Sequence, residues 1–341
     1  MPFRDVIGHR KLVALLSRSI ERDSIPPSLI FAGPSGVGKC LVAVACAQAL
    51  NCLDPRQTSA RSSDAIEYDA CGVCAACTRI ERGLHPDVVI LQPGDSGSIK
   101  VDAVRDVVDR AGYRPFEGRR RVVIIDEADA LVPQAQNALL KTLEEPPSSS
   151  VFILVSSRAD SLLPTVLSRC PRLRFHELSP EDIAAALITK GKKDVEAHAI
   201  ASLANGSIGG ALDVSANALV EARDVALRVL TRFASTDDVG RRVDAAKELL
   251  PQTTGGAAAD REYLSVHLRA IASLLRDVEL VSADGDRRTL ANPDVEGSLG
   301  RLAVFRGDRG IHAFDAIDDA LDAIDSNVNV KIVADWVATQ I

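Results

Sequence analysis

Short runs of consecutive apolar residues punctuate the first half of the chain, with helical periodicity between them. They lie at Ser28–Ala32, Asp87–Leu91, Arg121–Ile125, Val151–Val155 and Arg172–Phe175. Unbroken runs such as Val122-Val123-Ile124-Ile125 mark strands buried on both faces. Strands that alternate with helices predict an α/β domain with a mostly parallel sheet. After Phe175 the strand signal nearly stops. Ser179-Pro180-Glu181-Asp182 predicts a helix start, with Ser at the N-cap, Pro at the first position and acids in the first turn. A helical segment then runs to about Asn205, and Gly206, Gly209 and Gly210 punctuate the chain. Residues 218–341 are rich in Ala, Leu and Val with helical spacing, broken at Thr253-Thr254-Gly255-Gly256 and Asn292-Pro293, which predicts an all-α domain. Residues 55–69 are polar and predict a loosely structured insertion. No internal repeat is present.

The 341 residues suggest two or three domains. An apolar fraction of 46% and a charged fraction of 26% are ordinary for a globular chain and exclude collagen-like or disordered classes. Aromatics are only 4%, so the cores must be aliphatic. The net charge of −7 means that any nucleic-acid role needs a local basic surface or partner subunits. The opening MPFRDVIGHRK lacks the apolar core of a signal peptide, and no apolar run reaches a membrane span. The seven cysteines, an odd number, point to a reducing, cytoplasmic setting.

Gly33-Pro34-Ser35-Gly36-Val37-Gly38-Lys39-Cys40 follows the first strand and opens a helix, the context of a phosphate-binding loop. Gly33, Gly36 and Gly38 allow backbone N–H groups to face phosphates, and the helix N-terminus favours an anion. Lys39 would reach the β- and γ-phosphates of ATP or ADP. Position 40 needs a hydroxyl for Mg²⁺, and Cys40 offers a soft thiol instead. Two readings stand at this point: a nucleotide site with a damaged metal position, or a loop kept for its turn. Arg121–Ile125 runs into Asp126-Glu127-Ala128-Asp129. Carboxylates at the C-terminal edge of a parallel sheet lie beside such a loop. Asp126 would hold Mg²⁺ and Glu127 would polarise an attacking water, while Asp129 suits a cap on the next helix.

Cys71, Cys74 and Cys77 stand at C-x-x-C spacing, and Cys52 lies just past the phosphate-loop helix. Four thiolates suit a closed, structural Zn²⁺ site. Cys46 falls mid-helix on an apolar face and reads as core, and His85 is a weaker alternative ligand.

Asn137-Ala138-Leu139-Leu140-Lys141-Thr142-Leu143-Glu144-Glu145-Pro146-Pro147 follows the acidic turn, and Leu162-Leu163-Pro164-Thr165-Val166-Leu167-Ser168-Arg169-Cys170 comes after it. With Phe3-Arg4-Asp5-Val6-Ile7-Gly8-His9, this order resembles bacterial clamp-loader subunits of the AAA+ class over residues 1–215. The tail is similar to that family's helical collar, best at Asn327-Val328-Asn329-Val330-Lys331.

The resemblance implies an AAA+ P-loop domain over 1–176 with a parallel sheet and a zinc module inserted at about 52–77. A small helical lid would span 177–217 and an all-α oligomerisation collar 218–341. It implies that Arg169 is an arginine finger for a neighbour's ATP site. Active motor subunits of the family carry Ser or Thr after the loop lysine and an arginine on the lid helix. Here Cys40 and Gly209 stand in those places, and the sensor region Ser156-Ser157-Arg158-Ala159-Asp160 lacks an Asn or Thr, for which the two serines substitute only in part. That asymmetry implies a non-catalytic stator. The alternative is an active motor subunit of tau/gamma type that hydrolyses its own ATP. Implied partners are tau/gamma motor subunits and a delta subunit in a hetero-pentamer. The sliding β clamp and primer–template DNA would be met through the complex, with no membrane.

Overall fold

A computed structural model describes residues 1–58, 64–94, 97–204, 206–209, 216–251, 256–283, 285, 290–292, 295–326 and 328–341. In chain order the first elements are α1 (Arg10–Glu21), β1 (Ser28–Ala32), α2 (Lys39–Asn51), β2 (Arg56–Gln57), β3 (Tyr68–Asp69) and α3 (Ala75–Glu81). Then come β4 (Val88–Leu91), α4 (Val101–Ala111), β5 (Arg121–Ile125), α5 (Pro133–Glu144), β6 (Ser150–Ser156), α6 (Pro164–Leu167) and β7 (Arg172–Arg174). The helices α7 (Pro180–Thr189) and α8 (Asp194–Leu203) follow.

β4-β5-β6-β1-β7 form a five-stranded sheet in which every neighbouring pair is parallel. Ile30 sits level with Leu154 on one side and Arg172 on the other. The side chains alternate between two cores, as the period of a strand requires. Leu29, Phe31, Val122, Ile124, Val151, Ile153 and Val155 pack with residues of α1 and α2. Ile30, Val123, Ile125, Phe152 and Leu154 pack with residues of α4, α5 and α6. Helices on both faces explain why the strands read as continuous apolar runs. α2 is buried nearly all round because Ala43, Ala45, Ala47 and Ala49 let it seat closely.

The sequence places the strands of this sheet within a residue or two of their observed ends. β6 runs one residue further at each end than its apolar run. Ser150 and Ser156 are buried yet satisfied: Ser150 Oγ donates to the Ala111 carbonyl at 2.8 Å, and Ser156 Oγ donates to Asp129 at 2.7 Å. In the polar stretch 55–69, expected to be loosely structured, β2 and β3 pair antiparallel, with Arg56 opposite Asp69 and Gln57 opposite Tyr68. Tyr68 is buried, and its backbone N–H and C=O both bond to the Ser17 hydroxyl, at 2.8 and 2.7 Å. A two-residue ribbon anchored by one tyrosine leaves too little apolar periodicity to read in sequence.

The chain divides into two compact units: Met1–Ala186 with Gly206–Gly209, and Leu187–Asn205 with Gly210–Ile341. Ser179 Oγ accepts the Asp182 N–H at 3.1 Å, which confirms the helix start read there. The second unit contains α8 and then α9 (Ala216–Ser235), α10 (Val239–Ala246), α11 (Ala257–Ser282), α12 (Glu296–Leu299), α13 (Asp308–Asp325) and α14 (Val330–Gln340). Its core is aliphatic, with Phe233 and Phe305 among its buried side chains. Asn329 caps α14 by accepting the Lys331 N–H at 3.0 Å. Asn327, the stretch Thr253–Gly255, Pro293 and Gly210 lie outside the described residues.

Candidate functional site

Gly36 and Gly38 adopt φ of 74° and 94°, and Gly33 lies at 156°, backbone values that favour glycine. They turn the chain out of β1 into α2 and place Lys39 as the first helical residue. Lys39 is buried, and its Nζ donates to the carbonyls of Gly33 at 2.7 Å and Pro34 at 2.5 Å. Burial lowers its pKa, and the nearby Asp129 and Asp126 carboxylates partly offset this.

Cys40 faces Asp126. Burial, then the charge and hydrogen bond of Asp126, push its thiol up to about 12. A protonated thiol occupies the place where a hard oxygen ligand is needed, so this donor set does not fit Mg²⁺. Asp126 also accepts from Gln92 Nε2 at 3.2 Å. Glu127 is exposed and left-handed, with φ of 52°.

Asp129 does not cap the following helix. It accepts from Ser156 Oγ at 2.7 Å, Ser157 N at 3.1 Å and Ser157 Oγ at 3.4 Å. Both serines thus bond to a carboxylate that also lies near Lys39. Val132 precedes α5 instead, with Pro133 at its first position.

Gly209 lies on the phosphate loop itself. Its N–H donates to the Gly36 carbonyl at 3.0 Å, and a Cβ built on it would stand 3.3 Å from Gly36 Cα. A Cβ on Gly36 would meet Ser207 Oγ at 2.0 Å. His9 reaches the loop from another side, with Nε2 2.9 Å from the Val37 carbonyl.

The four cysteines converge. The sulfurs of Cys52, Cys71, Cys74 and Cys77 all lie within 4.8 Å of one another. A tetrahedral Zn²⁺ with Zn–S of ~2.3 Å separates its sulfurs by ~3.8 Å. The Cys52 and Cys74 sulfurs are 4.0 Å apart, so the donor set fits this ion. Backbone N–H groups point at the sulfurs, from Cys71 to Cys52 at 3.2 Å and from Cys74 to Cys71 at 3.2 Å. Burial alone would raise the Cys74 pKa. N–H donors from Cys77 and Leu53 and the neighbouring thiols outweigh it, bringing Cys74 down to about 6. Cys46 is fully buried in the core, where burial raises its pKa. His85 stays out of the cluster: its Nδ1 takes the Asp87 N–H at 3.2 Å and its Nε2 lies 3.5 Å from Glu117.

Sequence reasoning missed what holds this cluster in place. Asp69 accepts from the backbone of Phe3 at 2.8 Å and from Arg4 Nη1 at 3.0 Å. Arg4 also donates to the Ala70 and Cys71 carbonyls at 2.8 and 2.9 Å. Arg119 ties the Cys52 carbonyl to the Tyr68 hydroxyl at 2.9 and 3.0 Å. Only a polar pair 65 residues apart in sequence signals the first clamp.

Arg169 lies just past α6, where Pro171 follows. Its guanidinium is partly exposed and bonds to Glu144 through Nε at 2.8 Å and through Nη2, and to the Thr165 carbonyl through Nη1 at 2.8 Å. The sequence offered no sign of Glu144 as its partner. Among the described residues, no helix is long and apolar enough to cross a membrane.

The family model described as "DNA polymerase III, delta subunit" matches residues 8–179. DNA polymerase III subunit gamma of Buchnera aphidicola is 32% identical over 64% of this chain and 58% of that protein. DNA polymerase III subunit delta' of Bacillus subtilis is 32% identical over 61% of this chain and 59% of its own length. DNA polymerase III subunit tau of Salmonella typhimurium is 30% identical over 82% of this chain and 44% of that protein. The matches therefore span about half the length of these relatives. With the family model covering half of its residues, the chain belongs to the DNA polymerase III delta-subunit family of clamp-loader subunits.

Proposed function

We propose that this chain is the delta prime-type stator of a DNA polymerase III clamp loader. It helps load the sliding β clamp on primed DNA and supplies Arg169 in trans to a neighbouring ATPase subunit. The observation that carries this reading is an asymmetry between two places. The chain's own phosphate loop is closed on itself: Lys39 is bonded to loop carbonyls, Cys40 faces Asp126, and Gly209 lies on Gly36. Arg169 stands instead partly exposed, just past the short helix α6 and two residues before Pro171. A planar guanidinium suits the developing charge on a transferred phosphoryl group.

In this reading residues 1–176 form the AAA+ domain, 177–217 the lid and 218–341 the collar that joins the chain to tau/gamma and delta subunits. ATP bound by the neighbour is completed by Arg169. The chain's own residues position that guanidinium and transfer no proton. Cys52, Cys71, Cys74 and Cys77 would hold a Zn²⁺ that crosslinks the end of α2 to the start of α3 and supplies no chemistry. The direct test is DNA-stimulated ATP turnover of the reconstituted assembly with Arg169→Ala. Loss of a trans finger costs ~10³–10⁵ at the site it serves, diluted in the ring by its other sites. Unchanged turnover would overturn the proposal.

The motor alternative keeps one support: Lys39, Asp126 and Glu127 are all present in order, and two of the relatives above are gamma and tau subunits. It requires Lys39 to leave the Gly33 and Pro34 carbonyls. It also requires Cys40 to replace a hard metal ligand.

A further inference from the structure

Arg169 is held by Glu144 through Nε at 2.8 Å and through Nη2. Glu144 is the last residue of α5 and Glu145 follows it. Acidic groups at a helix C-terminus oppose the helix dipole. Arg169, at the C-terminal end of α6, is the cation that answers them. The two residues stand on matching supports. Each adjoins a buried residue of one core, Leu143 before Glu144 and Cys170 after Arg169. Each is also followed two residues later by a proline, Pro146 and Pro171, which stiffens the backbone. The backbone on both sides of the pair is therefore anchored.

In this arrangement the inward contacts take up much of the guanidinium. Nε and Nη2 donate to Glu144 Oε1, and Nη1 donates to the Thr165 carbonyl at 2.8 Å and Ser168 Oγ at 3.2 Å. One Nη2 N–H is left over, so a two-pronged grip on an anion in another subunit requires Arg169 to give up Glu144. The Glu144 side chain is half exposed, so the pair is open to solvent and to an incoming anion.

We propose that Glu144 is a positioning residue that parks Arg169 in a retracted state and competes for it with the nucleotide phosphate of the neighbouring subunit. This rests on the reading of Arg169 as a trans finger. The parked state lowers the fraction of subunits competent to complete the site, which raises the nucleotide concentration needed for turnover without altering the chemical step. An exposed ion pair is worth little, so the effect is a shift of roughly two- to five-fold in KM.

The test is steady-state ATP turnover by the reconstituted complex carrying wild-type chain, Glu144→Gln, Arg169→Ala or both. Glu144→Gln keeps the size of the side chain and removes its charge. The expected result is a lower KM for ATP with kcat unchanged. The difference should shrink as salt is raised, because salt screens an exposed pair. In the Arg169→Ala background, Glu144→Gln should then change nothing. A wild-type KM for Glu144→Gln, or a fall in kcat, would overturn the parking role while leaving the finger intact. Wild-type turnover for Arg169→Ala would instead overturn the finger reading itself.

Discussion

The backbone N–H of Gly209 donates to the carbonyl of Gly36 at 3.0 Å, placing one glycine on another across the phosphate loop. No side chain larger than hydrogen fits comfortably on the Gly36 side, because a Cβ there would overlap Ser207 Oγ at 2.0 Å. Gly36 also needs a positive φ of 74°. The segment Gly206–Gly209 and the loop are thus fitted to each other. Gly36→Ala should cost ~1–2 kcal/mol from the left-handed backbone alone, before the clash is added. Chemical denaturation of the variant checks this, and an unchanged midpoint would contradict both the left-handed backbone at Gly36 and the seat of Ser207 against it.

Lys39 has a structural role here that does not depend on nucleotide. Its ammonium holds the carbonyls of Gly33 and Pro34. Hydrogen bonds to a charged group contribute ~1.5–3 kcal/mol, so Lys39→Ala should destabilise the isolated chain by about that amount. Thermal unfolding without nucleotide reads this directly. Adding ATP and Mg²⁺ should raise the wild-type Tm little, because the Cys40 thiol is a poor ligand for Mg²⁺.

The four-cysteine cluster predicts one zinc per chain. Metal analysis after chelator-free purification should find it, and Cys74→Ser should lose it. Cys46→Ala should keep it, since Cys46 lies in the core away from the cluster. Zinc retained in full by Cys74→Ser, or absent from the wild type, would remove the ion from the account. Acid should also release the metal, because protons compete for the thiolates.

Asp87 predicts a pH dependence. It is fully buried and accepts N–H bonds from Phe116, Glu117 and Gly118 at 2.7, 2.9 and 2.8 Å, and from Arg121 Nη2 at 3.0 Å. Burial alone would raise its pKa, but these donors outweigh it and hold the carboxyl below the ordinary range. A depressed pKa contributes stability that is fully present above the unfolded value near 3.9 and is lost as pH falls through the folded value. Asp87→Asn should therefore cost ~1–3 kcal/mol at neutral pH, and the gap to wild type should close in acid. A gap independent of pH would refute the ionised role.

The strands and the phosphate loop were legible because unbroken apolar runs and a glycine pattern are local signals. Val122–Ile125 and Gly33–Cys40 each carry theirs within a few residues. Cys71, Cys74 and Cys77 are legible through their spacing and Cys52 through its place just past the loop helix, and the structure gathers these four. The partners that fix these groups were not legible. Asp69 meets Arg4, Asp87 meets the 116–118 turn, Asp129 meets Ser156 and Glu144 meets Arg169. Each is a polar contact between distant segments, and sequence periodicity records only which faces are apolar. Asp129 shows the cost: its position after a strand suited a helix cap, whereas the fold turns it towards β6 and Lys39.

In the proposed function this chain works on a neighbour's ATP and not on its own. Turnover of the reconstituted clamp loader, with this chain carrying Lys39→Ala or Arg169→Ala, tests it most directly. The account predicts that Arg169→Ala slows DNA-stimulated turnover while Lys39→Ala, once assembled, leaves it at the wild-type rate. Comparable slowing by Lys39→Ala, with folding and assembly intact, would contradict the account and make the chain a motor.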